Sequence, residues 1–390
     1  MKIAFVTPWY GDIPGGAENE CKRTVENLKK HGIDVEVLTT CVKEFRSDWN
    51  HNYYKEGVYE LNGTTVRRFE VRKRDTASFD RINYKLMCNQ SISLKEEHVF
   101  IQEMINSPDL YSYIRKQADN YDYYFFIPYM FGTTYYGSQI CPDKSVLIPC
   151  LHDESYAYLS IYREMFEKVR GIIFHSEQEQ ILANRIYNLK NEQDVLGEGI
   201  DADFVYESGR FRDKYGMKDN FILYAGRKEV GKNVPLLIDH FCRYKRAHPS
   251  SDLKLVLIGS GEVKIPNGFE DYIIDLGFIP IQDKYDAYSA ATFMCQPSVN
   301  ESFSIVIMES WLCNVPVLVN ADCAVTKEHC IKCNGGLYFK DYYEFAGCLE
   351  FYLGNPEIKN KMGENGMLYV INNFSWDKVI HKYINFLGGL

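Results

Sequence analysis

The sequence has no long hydrophobic run and no excess of positive charge. Its apolar segments fall short of the ~18 residues that a membrane-spanning helix needs, and residues 3–6 are too few for the apolar core of a secretion signal. The chain carries 44 Lys and Arg against 53 Asp and Glu, a formal net charge of −9, which disfavours nucleic acid as a partner. We therefore expect a soluble cytoplasmic protein, and a length of 390 residues favours two or three domains.

A dinucleotide fingerprint and a paired zinc motif are also missing. Gly259-x-Gly261 continues to Lys264 rather than to a third glycine, which disfavours a dehydrogenase. The twelve cysteines are scattered and no secretion signal accompanies them, so we expect free, mostly buried thiols. Zinc binding at a single Cys-x-x-Cys beside a histidine is an alternative, although zinc ribbons pair two such motifs; its residues are Cys323, His329, Cys330 and Cys333.

Short apolar runs alternate with helical stretches along the whole chain, which is typical of βαβ units and parallel sheets. In the first half we predict strands at residues 2–7, 34–38, 123–127, 145–151 and 171–175, with helices near residues 17–30, 97–119, 155–169 and 177–187. In the second half we predict strands at residues 221–225, 254–258, 272–275, 293–296 and 315–319, with helices near residues 234–247, 284–290, 303–313, 341–353, 357–372 and 376–387.

The pattern predicts an α/β protein with two Rossmann-like domains whose parallel sheets face each other across a cleft. Glycines at 197 and 199 mark the joint. We expect an N-terminal acceptor-binding domain at 1–197, a C-terminal donor domain at 198–373, and a final helix at 374–390 that packs back toward the N-terminal domain. Open parallel sheets bind ligands at the carboxyl ends of their strands, so the cleft is the expected site.

A polar, Tyr-rich insertion at residues 43–95 contains a basic strip, which we define as residues 67–74. The strip holds five cations and one acid in an otherwise acidic half of the chain. Such local charge can attract an anionic membrane surface at about 1 kcal/mol per basic residue. A solvated edge strand protected by its charge is the alternative.

Two glutamates eight residues apart, Glu301 and Glu309, form the strongest single motif. We expect Glu309 two turns inside a helix with a serine-rich first turn and Glu301 at the mouth of that helix, which places the two carboxylates on nearly the same side and roughly 12 Å apart along the axis. Free N–H groups at the helix start suit a phosphate or sugar hydroxyls. Carboxylates suit vicinal hydroxyls, so a sugar at Glu301 and a ribose at Glu309 would fit one ligand. A helix-capping Glu301 and a solvated Glu309 are the alternative.

Cations and glycines follow the first two strands of the second half. Arg227 and Lys232 lie on the loop after the strand that ends at residue 225, and together they can neutralise a diphosphate. An exposed basic loop is the alternative interpretation. Gly259 and Gly261 follow the next strand and would let a planar base approach the backbone.

These motifs, in this order and spacing, resemble the donor-binding half of the retaining glycosyltransferases of family 4, which have the GT-B fold. The matching elements are Gly-Arg-x4-Lys at 226–232, Gly-x-Gly-Glu at 259–262, Gly-Phe-Ile-Pro at 277–280, Pro-Ser at 297–298 with Glu-x7-Glu, and Val-Pro-Val at 315–317. The first half is similar more loosely, through Gly-Gly-Ala-Glu at 15–18, Leu-His-Asp-Glu at 151–154, His-Ser-Glu at 175–177 and Gly-Ile-Asp at 199–201.

The resemblance implies a role for each matching residue. Arg227 and Lys232 would hold the diphosphate and stabilise the charge of the leaving group. Glu309 would bind the ribose, and Glu301 with the amides of the next three residues would hold the transferred sugar; those residues are Ser302, Phe303 and Ser304. The base would meet backbone groups of Phe278 and Ile279, and the loop of Gly15 and Gly16 would lie by the phosphates and acceptor. His152 would face the donor sugar, although a lone histidine is more often structural.

Two features depart from the family or compete with it. The family commonly has glycine where Ser302 and Ser304 stand, so we expect a tighter pocket and an unusual donor sugar. Asp201-Ala202-Asp203 is an Asp-x-Asp triplet, which binds a divalent metal in the other main glycosyltransferase fold. Because it falls in the segment between the domains and two cations already serve the diphosphate, we expect no metal.

The sequence thus predicts a retaining, metal-independent glycosyltransferase of the hexosyltransferase class. It would need no cofactor and would move a sugar from a nucleotide-diphosphate sugar to a saccharide or polyprenyl-linked acceptor in cell-surface polysaccharide synthesis, with peripheral contact at the inner membrane face. A nucleotide-sugar epimerase or phosphorylase on the same fold is one alternative, which the Glu-x7-Glu motif with His152 disfavours. A catalytically silent nucleotide-sugar binding protein is another, which the intact charged residues disfavour.

Overall fold

The computed structural model describes residues 1–13 and 16–390, and they form two compact units. Unit 1 comprises residues 1–199 and 379–390, and unit 2 comprises residues 200–378. The predicted boundaries at 197/198 and 373/374 lie within a few residues of the two places where the chain passes between units.

Unit 1 contains an eight-stranded sheet that is parallel except at one edge. Its strands are β1 (Lys2–Val6), β2 (Asp34–Thr40), β3 (Gly57–Leu61), β4 (Thr64–Phe69), β5 (Tyr123–Phe126), β6 (Ser145–Leu147), β7 (Gly171–Phe174) and β8 (Glu192–Val195). The order across the sheet is β3-β4-β2-β1-β5-β6-β7-β8, and only the β3/β4 pair is antiparallel. Strand β1 is central and almost wholly buried, as expected for an apolar strand of a parallel sheet.

Seven helices accompany this sheet in the described part of unit 1. They are α1 (Gly16–Lys30), α2 (Thr76–Met87), α3 (Leu94–Gln102), α4 (Pro108–Lys116), α5 (Gly132–Ser138), α6 (Ile161–Lys168) and α7 (Glu177–Ile186). The single helix predicted at 97–119 is wrong, because α3 ends at residue 102 and α4 begins anew. Ser107 accepts a hydrogen bond from the Leu110 amide, and Pro108 occupies the first turn of α4, where a missing N–H costs nothing.

The insertion at 43–95 has a regular structure of its own. Strands β3 and β4 form a hairpin around Asn62 and Gly63, whose φ angles are 50° and 74°. Two consecutive positive φ values are typical of a type I′ turn, and Asn-Gly is its usual sequence. This signal was present in the sequence and predicts the hairpin that we missed.

Unit 2 contains a six-stranded, fully parallel sheet with the order β11-β10-β9-β12-β13-β14. Its strands are β9 (Phe221–Ala225), β10 (Lys254–Ile258), β11 (Ile273–Gly277), β12 (Phe293–Gln296), β13 (Val317–Asn320) and β14 (Gly336–Phe339). The helices are α8 (Ser208–Tyr215), α9 (Val234–Ala247), α10 (Ile281–Ala290), α11 (Ile305–Leu312), α12 (Ala324–Cys333), α13 (Tyr342–Gly354) and α14 (Pro356–Phe374); the next helix, α15 (Trp376–Gly389), begins here and ends in unit 1.

The strand order of unit 2 reverses between β9 and β12. From β9 the chain builds outward through β10 to β11, then returns to place β12 on the other side of β9. The loops that leave β9 and β12 therefore separate at this point, and such a switch point is where open α/β sheets bind ligands. The residues after β9 and β12 are the two candidate loops, at 226–233 and 297–304.

The observed sheets confirm the predicted α/β class with two mostly parallel sheets. Within residues 1–13 and 16–390, every helix is too short or too polar to cross a lipid bilayer.

Candidate active site

Glycines allow the loops that follow β9 and β10 to pack directly against each other. A Cβ atom at Gly259 would lie 1.9 Å from the carbonyl oxygen of Gly226, and one at Gly261 would lie 2.8 Å from that of Lys228. The Lys228 amide donates to the Ser260 carbonyl at 2.7 Å. We expected these glycines to make room for a base, but the space beside them is filled by the neighbouring loop. Their direct function is to let two backbones meet.

Lys232 and Glu301 form an ion pair across the switch point. The Lys232 Nζ lies 2.7 Å from the Glu301 Oε1, and the Gln296 amide also donates to that oxygen, at 3.4 Å. Both charged side chains are largely buried. The structure therefore brings together two residues that lie 69 positions apart in the sequence.

Arg227 extends from the same loop and is half exposed. Its Nε lies 3.5 Å from Glu229, and its carbonyl accepts a hydrogen bond from the Tyr224 hydroxyl at 2.7 Å. A buried strand residue thus fixes the Arg227 backbone while its guanidinium stays accessible. This is the arrangement that an incoming anion requires.

A third cation on this loop, Lys228, was not predicted. Its side chain is almost fully buried and its ammonium contacts the carboxylate of Asp275, in the middle of β11. Asp275 also accepts a hydrogen bond from the Gly277 amide at 2.9 Å. Lys228 therefore links β9 to β11 rather than facing solvent, and no spacing rule distinguishes it from its neighbour Arg227.

Helix α11 begins at Ile305, later than we predicted. Glu301 therefore lies in the loop before the helix, and the helical spacing that we predicted between Glu301 and Glu309 does not apply. Ser304 immediately precedes the helix with a φ of 78°, in the left-handed region that glycine favours. Ser302 is half-buried, whereas the Phe303 ring is fully buried against Phe374, with centroids 4.9 Å apart.

Glu309 is buried and bonded, contrary to the solvated alternative. Its Oε1 accepts from Lys284 Nζ at 2.6 Å and its Oε2 accepts from the Tyr288 hydroxyl at 3.0 Å. Burial, together with the nearby Glu309 charge, holds the pKa of Tyr288 well above its usual value. Lys284 was not among the predicted site residues, and α10 begins at Ile281 rather than at residue 284 as predicted.

The end of β11 presents Phe278 to solvent. Its side chain is 77% exposed, whereas Ile279 is buried. Gly277, with a φ of 65°, turns the chain there and accepts a hydrogen bond from the Gly259 amide at 2.8 Å. An exposed ring on a fixed turn offers a stacking surface for a planar group.

In unit 1, His152 lies on the loop after β6 and is partly exposed. Its Nδ1 is 3.7 Å from the Glu154 carboxylate. Strand β6 ends at Leu147, so His152 follows it by five residues rather than standing at the strand end. Gly16 begins α1, and Gly15 lies outside the described residues.

A buried charged cluster underlies the His152 loop. The Glu179 carboxylate accepts hydrogen bonds from the amides of Leu151 at 2.6 Å and His175 at 2.7 Å, and the His175 Nε2 lies 2.5 Å from Glu20. Burial alone would lower the pKa of His175, but the Glu20 charge and hydrogen bond outweigh it and raise that pKa to about 10. Cys150 completes the cluster with a φ of 53°.

The proposed zinc motif does not assemble. His329 Nδ1 lies 2.9 Å from the Tyr369 hydroxyl, and burial lowers the pKa of His329 to about 3. Among residues 1–13 and 16–390, the one group of three or more metal-ligating side chains with converging ligand atoms is Glu20, Cys150 and His175. Asp201 and Asp203 are exposed and belong to no such group in that part of the chain.

The basic strip does not lie on the edge strand of the sheet, and four of its five cations make contacts within unit 1. Arg67 and Arg68 lie on β4, which β3 separates from the sheet edge, and Arg68 is buried with hydrogen bonds to two backbone carbonyls. Arg67 pairs with Glu36 at 2.6 Å. Arg72 contacts Glu103 and Arg74 stacks on aromatic rings, while the fifth cation, at position 73, is exposed.

Residues 219–355 match the family model described as glycosyl transferases group 1. An uncharacterized glycosyltransferase of Methanocaldococcus jannaschii is 24% identical over 407 aligned residues, which cover 99% of this chain and 97% of that protein. An N-acetylgalactosaminyltransferase of Campylobacter jejuni that acts on a diphospho-undecaprenol compound is 33% identical over 132 residues, 32% of this chain and 34% of that protein. The solved structure of Anabaena HepE in complex with UDP-glucose superposes over 100% of both chains with a TM-score of 0.70 and 16% identity.

The matches define what the chain resembles. Its fold is GT-B, as predicted, the comparisons support a glycosyltransferase, and residues 219–355 are similar to the group 1 glycosyltransferases. The segment that the family model matches contains the loops after β9, β10, β11 and β12, and so the residues of the unit 2 site.

Proposed function

We propose that the protein is a retaining glycosyltransferase that uses a nucleotide-diphosphate sugar and acts without a bound metal. The observation that carries the proposal is a pair of Lys–Glu contacts in unit 2. Lys232 holds Glu301 and Lys284 holds Glu309, at 2.7 and 2.6 Å, on segments that follow the carboxyl ends of the parallel strands. A ligand bound there would meet two carboxylates that can accept hydrogen bonds from hydroxyl groups, and beside them ammonium groups that can bind phosphate.

Lys232 and Arg227 would bind the diphosphate. Because Lys232 already lies beside Glu301, it can exchange that carboxylate for a phosphate oxygen with a small movement, which leaves Glu301 free to accept sugar hydroxyls. Both cations would also stabilise the negative charge that grows on the departing nucleotide, a contribution often worth a few kcal/mol per donor. This is the task a divalent metal performs in other transferases.

The rest of the donor would lie along the neighbouring loops. The amides of residues 302–304 and the first turn of α11 supply donors for the transferred sugar. Phe278 and Ile279 would contact the base, and Gly259 and Gly261 would keep the supporting loops in register. His152 and the glycines at 15 and 16 are our candidates in the acceptor unit.

The acceptor we propose is a glycan or a lipid-linked saccharide for a cell-surface polymer. The Campylobacter jejuni relative is named for a diphospho-undecaprenol acceptor and an alpha linkage, and retention gives that linkage from an alpha-linked donor. Peripheral membrane contact stays a prediction, now based on this acceptor class and not on the basic strip. Co-sedimentation with anionic liposomes tests it, and recovery of the protein only in the supernatant would contradict it.

Donor binding can be tested by thermal shift with UDP-, GDP-, ADP- and dTDP-sugars. A ligand at 100 times its Kd adds about 2.7 kcal/mol to the free energy of unfolding. We expect at least one donor to shift the wild type and a much smaller shift for Lys232→Met. Lys254→Met is the matched control, since Lys254 pairs with Asp219 at the amino end of β10, away from the site loops. No shift with any donor, or equal loss in both variants, would refute the donor site.

Retention and metal independence need separate measurements. The anomeric configuration of the first-formed product, followed by NMR, should match that of an alpha-linked donor. Nucleotide release should persist after treatment with EDTA. An inverted product contradicts the proposed stereochemistry, and activity restored only by Mg²⁺ or Mn²⁺ contradicts metal independence.

A further inference from the structure

Three side chains of metal-binding types converge in unit 1, whereas the proposed donor site is built by unit 2. Glu20 comes from α1, Cys150 from the loop after β6, and His175 follows directly on β7. One ligand atom of each lies within 4.8 Å of the other two. The Cys150 Sγ is 3.9 Å from Glu20 Oε2, and the His175 Nε2 is 2.5 Å from Glu20 Oε1. A sulfur, a nitrogen and an oxygen ligand therefore meet at one point.

The cluster is closed on one side and open on the other. The side chains of Glu20 and His175 are 3% and 0% exposed, whereas Cys150 is partly exposed. An ion can therefore enter past the Cys150 thiol and be held against two buried ligands. Cys150 has a φ of 53°, and non-glycine residues held in this region are found most often at functional sites.

A second carboxylate lies behind the histidine. The Glu179 Oε2 is 3.7 Å from the His175 Nδ1, and the backbone amides of Leu151 and His175 hold that carboxylate in place. Among the described residues, this fully buried Nδ1 has no hydrogen-bond partner. A histidine that binds a metal through Nε2 commonly donates its Nδ1–H to a carboxylate, which fixes the ring and increases its basicity. The outer partner of a metal-bound His175 is therefore already present.

Carboxylates dominate the electrostatics of the cluster. The charges that act most strongly on the Cys150 thiol are those of Glu20, Glu179, Glu198 and Glu18, and together with burial they hold its pKa well above the usual value. A divalent cation would offset this negative charge and would stabilise the thiolate that binds it.

We propose that Glu20, Cys150 and His175 form a zinc site that links α1 to the loops after β6 and β7. One thiolate, one imidazole and one carboxylate are ligands that Zn²⁺ takes in tetrahedral sites, and water would complete the set on the side of Cys150. The ion stabilises unit 1 and takes no part in sugar transfer, which itself still needs no metal.

The side chains need only a small movement to bind the ion. Zinc ligands lie roughly 3.2–3.7 Å from one another. The contact between Cys150 and Glu20 is close to this range, and a movement of the His175 ring from Glu20 toward Glu179 would lengthen the 2.5 Å contact and shorten the 3.7 Å one. In the metal-free protein a proton between His175 and Glu20 occupies this place. Binding of Zn²⁺ releases that proton and the proton of the thiol.

Zinc binding can be measured on the full chain after its metals are removed with EDTA and the chelator is washed out. Titration with Zn²⁺ against a chromophoric chelator should show one tight site, and Co²⁺ should give the charge-transfer absorption of a thiolate ligand. Cys150→Ala should abolish that absorption and weaken Zn²⁺ by about 100-fold or more, and Glu179→Gln should weaken it by about tenfold or more through the loss of the outer partner. Cys333→Ala is the matched control, a partly exposed thiol of the Cys-x-x-Cys motif that does not assemble.

A wild type that lacks either the cobalt absorption or tight zinc binding overturns the site. Binding that Cys150→Ala leaves unchanged overturns the ligand set, and an equal loss in Cys333→Ala assigns the metal to the other motif and overturns it as well. Circular dichroism shows whether each variant folds. If Cys150→Ala does not fold, the cobalt spectra of the wild type and Cys333→Ala decide, because absorption retained in both requires a thiolate other than Cys333.

Discussion

At the scale of single residues, the two glutamates of the motif occupy different surroundings. Glu301 lies in the loop before α11 and pairs with Lys232 of the loop after β9. Glu309 lies within α11, and its carboxylate accepts hydrogen bonds from Lys284 and Tyr288 of α10. Their separate environments give each a separate function to test. The sequence supplied both residues, but it could not supply Lys284, because a lysine on a helix surface carries no signal of which carboxylate it meets.

Substituting glutamine for each glutamate in turn should separate the nucleotide contribution to donor affinity from the sugar contribution. Glu309→Gln should weaken UDP and UDP-glucose alike, by about tenfold, because the ribose is common to both. Glu301→Gln should weaken UDP-glucose relative to UDP, because the contact to the sugar is lost, while UDP itself should bind as well as before or more tightly, because the Glu301 charge no longer competes for Lys232. Titration calorimetry with both ligands checks this, and the two variants serve as controls for each other. Equal effects on both ligands in both variants would contradict the assignment.

Ser304 should tolerate glycine with a gain in stability. Its φ of 78° disfavours a residue with a Cβ by about 1 kcal/mol, part of which the greater entropy of glycine in the unfolded chain offsets. We expect Ser304→Gly to raise the free energy of unfolding by about 0.5 kcal/mol, measured by urea titration. Ser302→Gly, two residues earlier in the same loop and without a positive φ, should not raise it. A destabilised Ser304→Gly would show that the serine hydroxyl matters more than backbone strain.

At the scale of elements, the glycine contact between the loops after β9 and β10 is the most sensitive point of unit 2. In Gly259→Ala the new Cβ would overlap the Gly226 carbonyl oxygen, 1.9 Å away, at a backbone φ of 121°. We expect a loss of about 3 kcal/mol or more and loss of nucleotide binding, measured by denaturant unfolding and calorimetry. Gly231→Ala has open space around its Cβ and should stay near wild type. A stable, binding-competent Gly259→Ala would refute the close contact.

Elements with a strong apolar pattern were predicted well. Strands β9, β10 and β12 have the predicted bounds, because each is a short run of buried residues, apart from Lys254 at the start of β10, and lies between polar residues. Strands β3 and β8 were missed because they are largely exposed and neither contains a long hydrophobic run. The start of α11 was misplaced because Phe303 is apolar yet belongs to a loop that inserts into the core.

At the scale of the whole molecule, the buried His175 gives stability a dependence on pH. Its pKa is about 10 when folded and near 6.5 when exposed, so the folded state binds one more proton between these values. The stabilising contribution is complete below about pH 6.5 and is lost as the pH rises toward 10. The charged groups around it are Glu20, Glu179 and Glu198.

We therefore expect the free energy of unfolding to fall by about 1.4 kcal/mol per pH unit between pH 7 and 8.5, below the range where tyrosines titrate. Urea unfolding across that range measures the slope, and His175→Gln should remove this contribution from it while lowering stability overall. The slope that remains toward pH 8.5 belongs to the buried thiols, whose pKa values burial raises. His31→Gln, a half-exposed histidine of unit 1, is the control. A wild-type curve that is flat from pH 7 to 8.5 would show that His175 is neutral in the folded protein.

Helix α15 has a consequence for how the protein is made. Its last turns belong to unit 1, where the Phe386 ring fills the space that a side chain at Gly171 would need and Tyr383 packs near Phe125. Domains generally fold in the order in which the ribosome releases them. Unit 1 is translated first, yet it lacks part of its own core until residues 379–390 emerge. The sequence of unit 2 lies between the two segments of unit 1. Unit 2 can therefore finish folding before unit 1, although most of unit 1 is translated earlier.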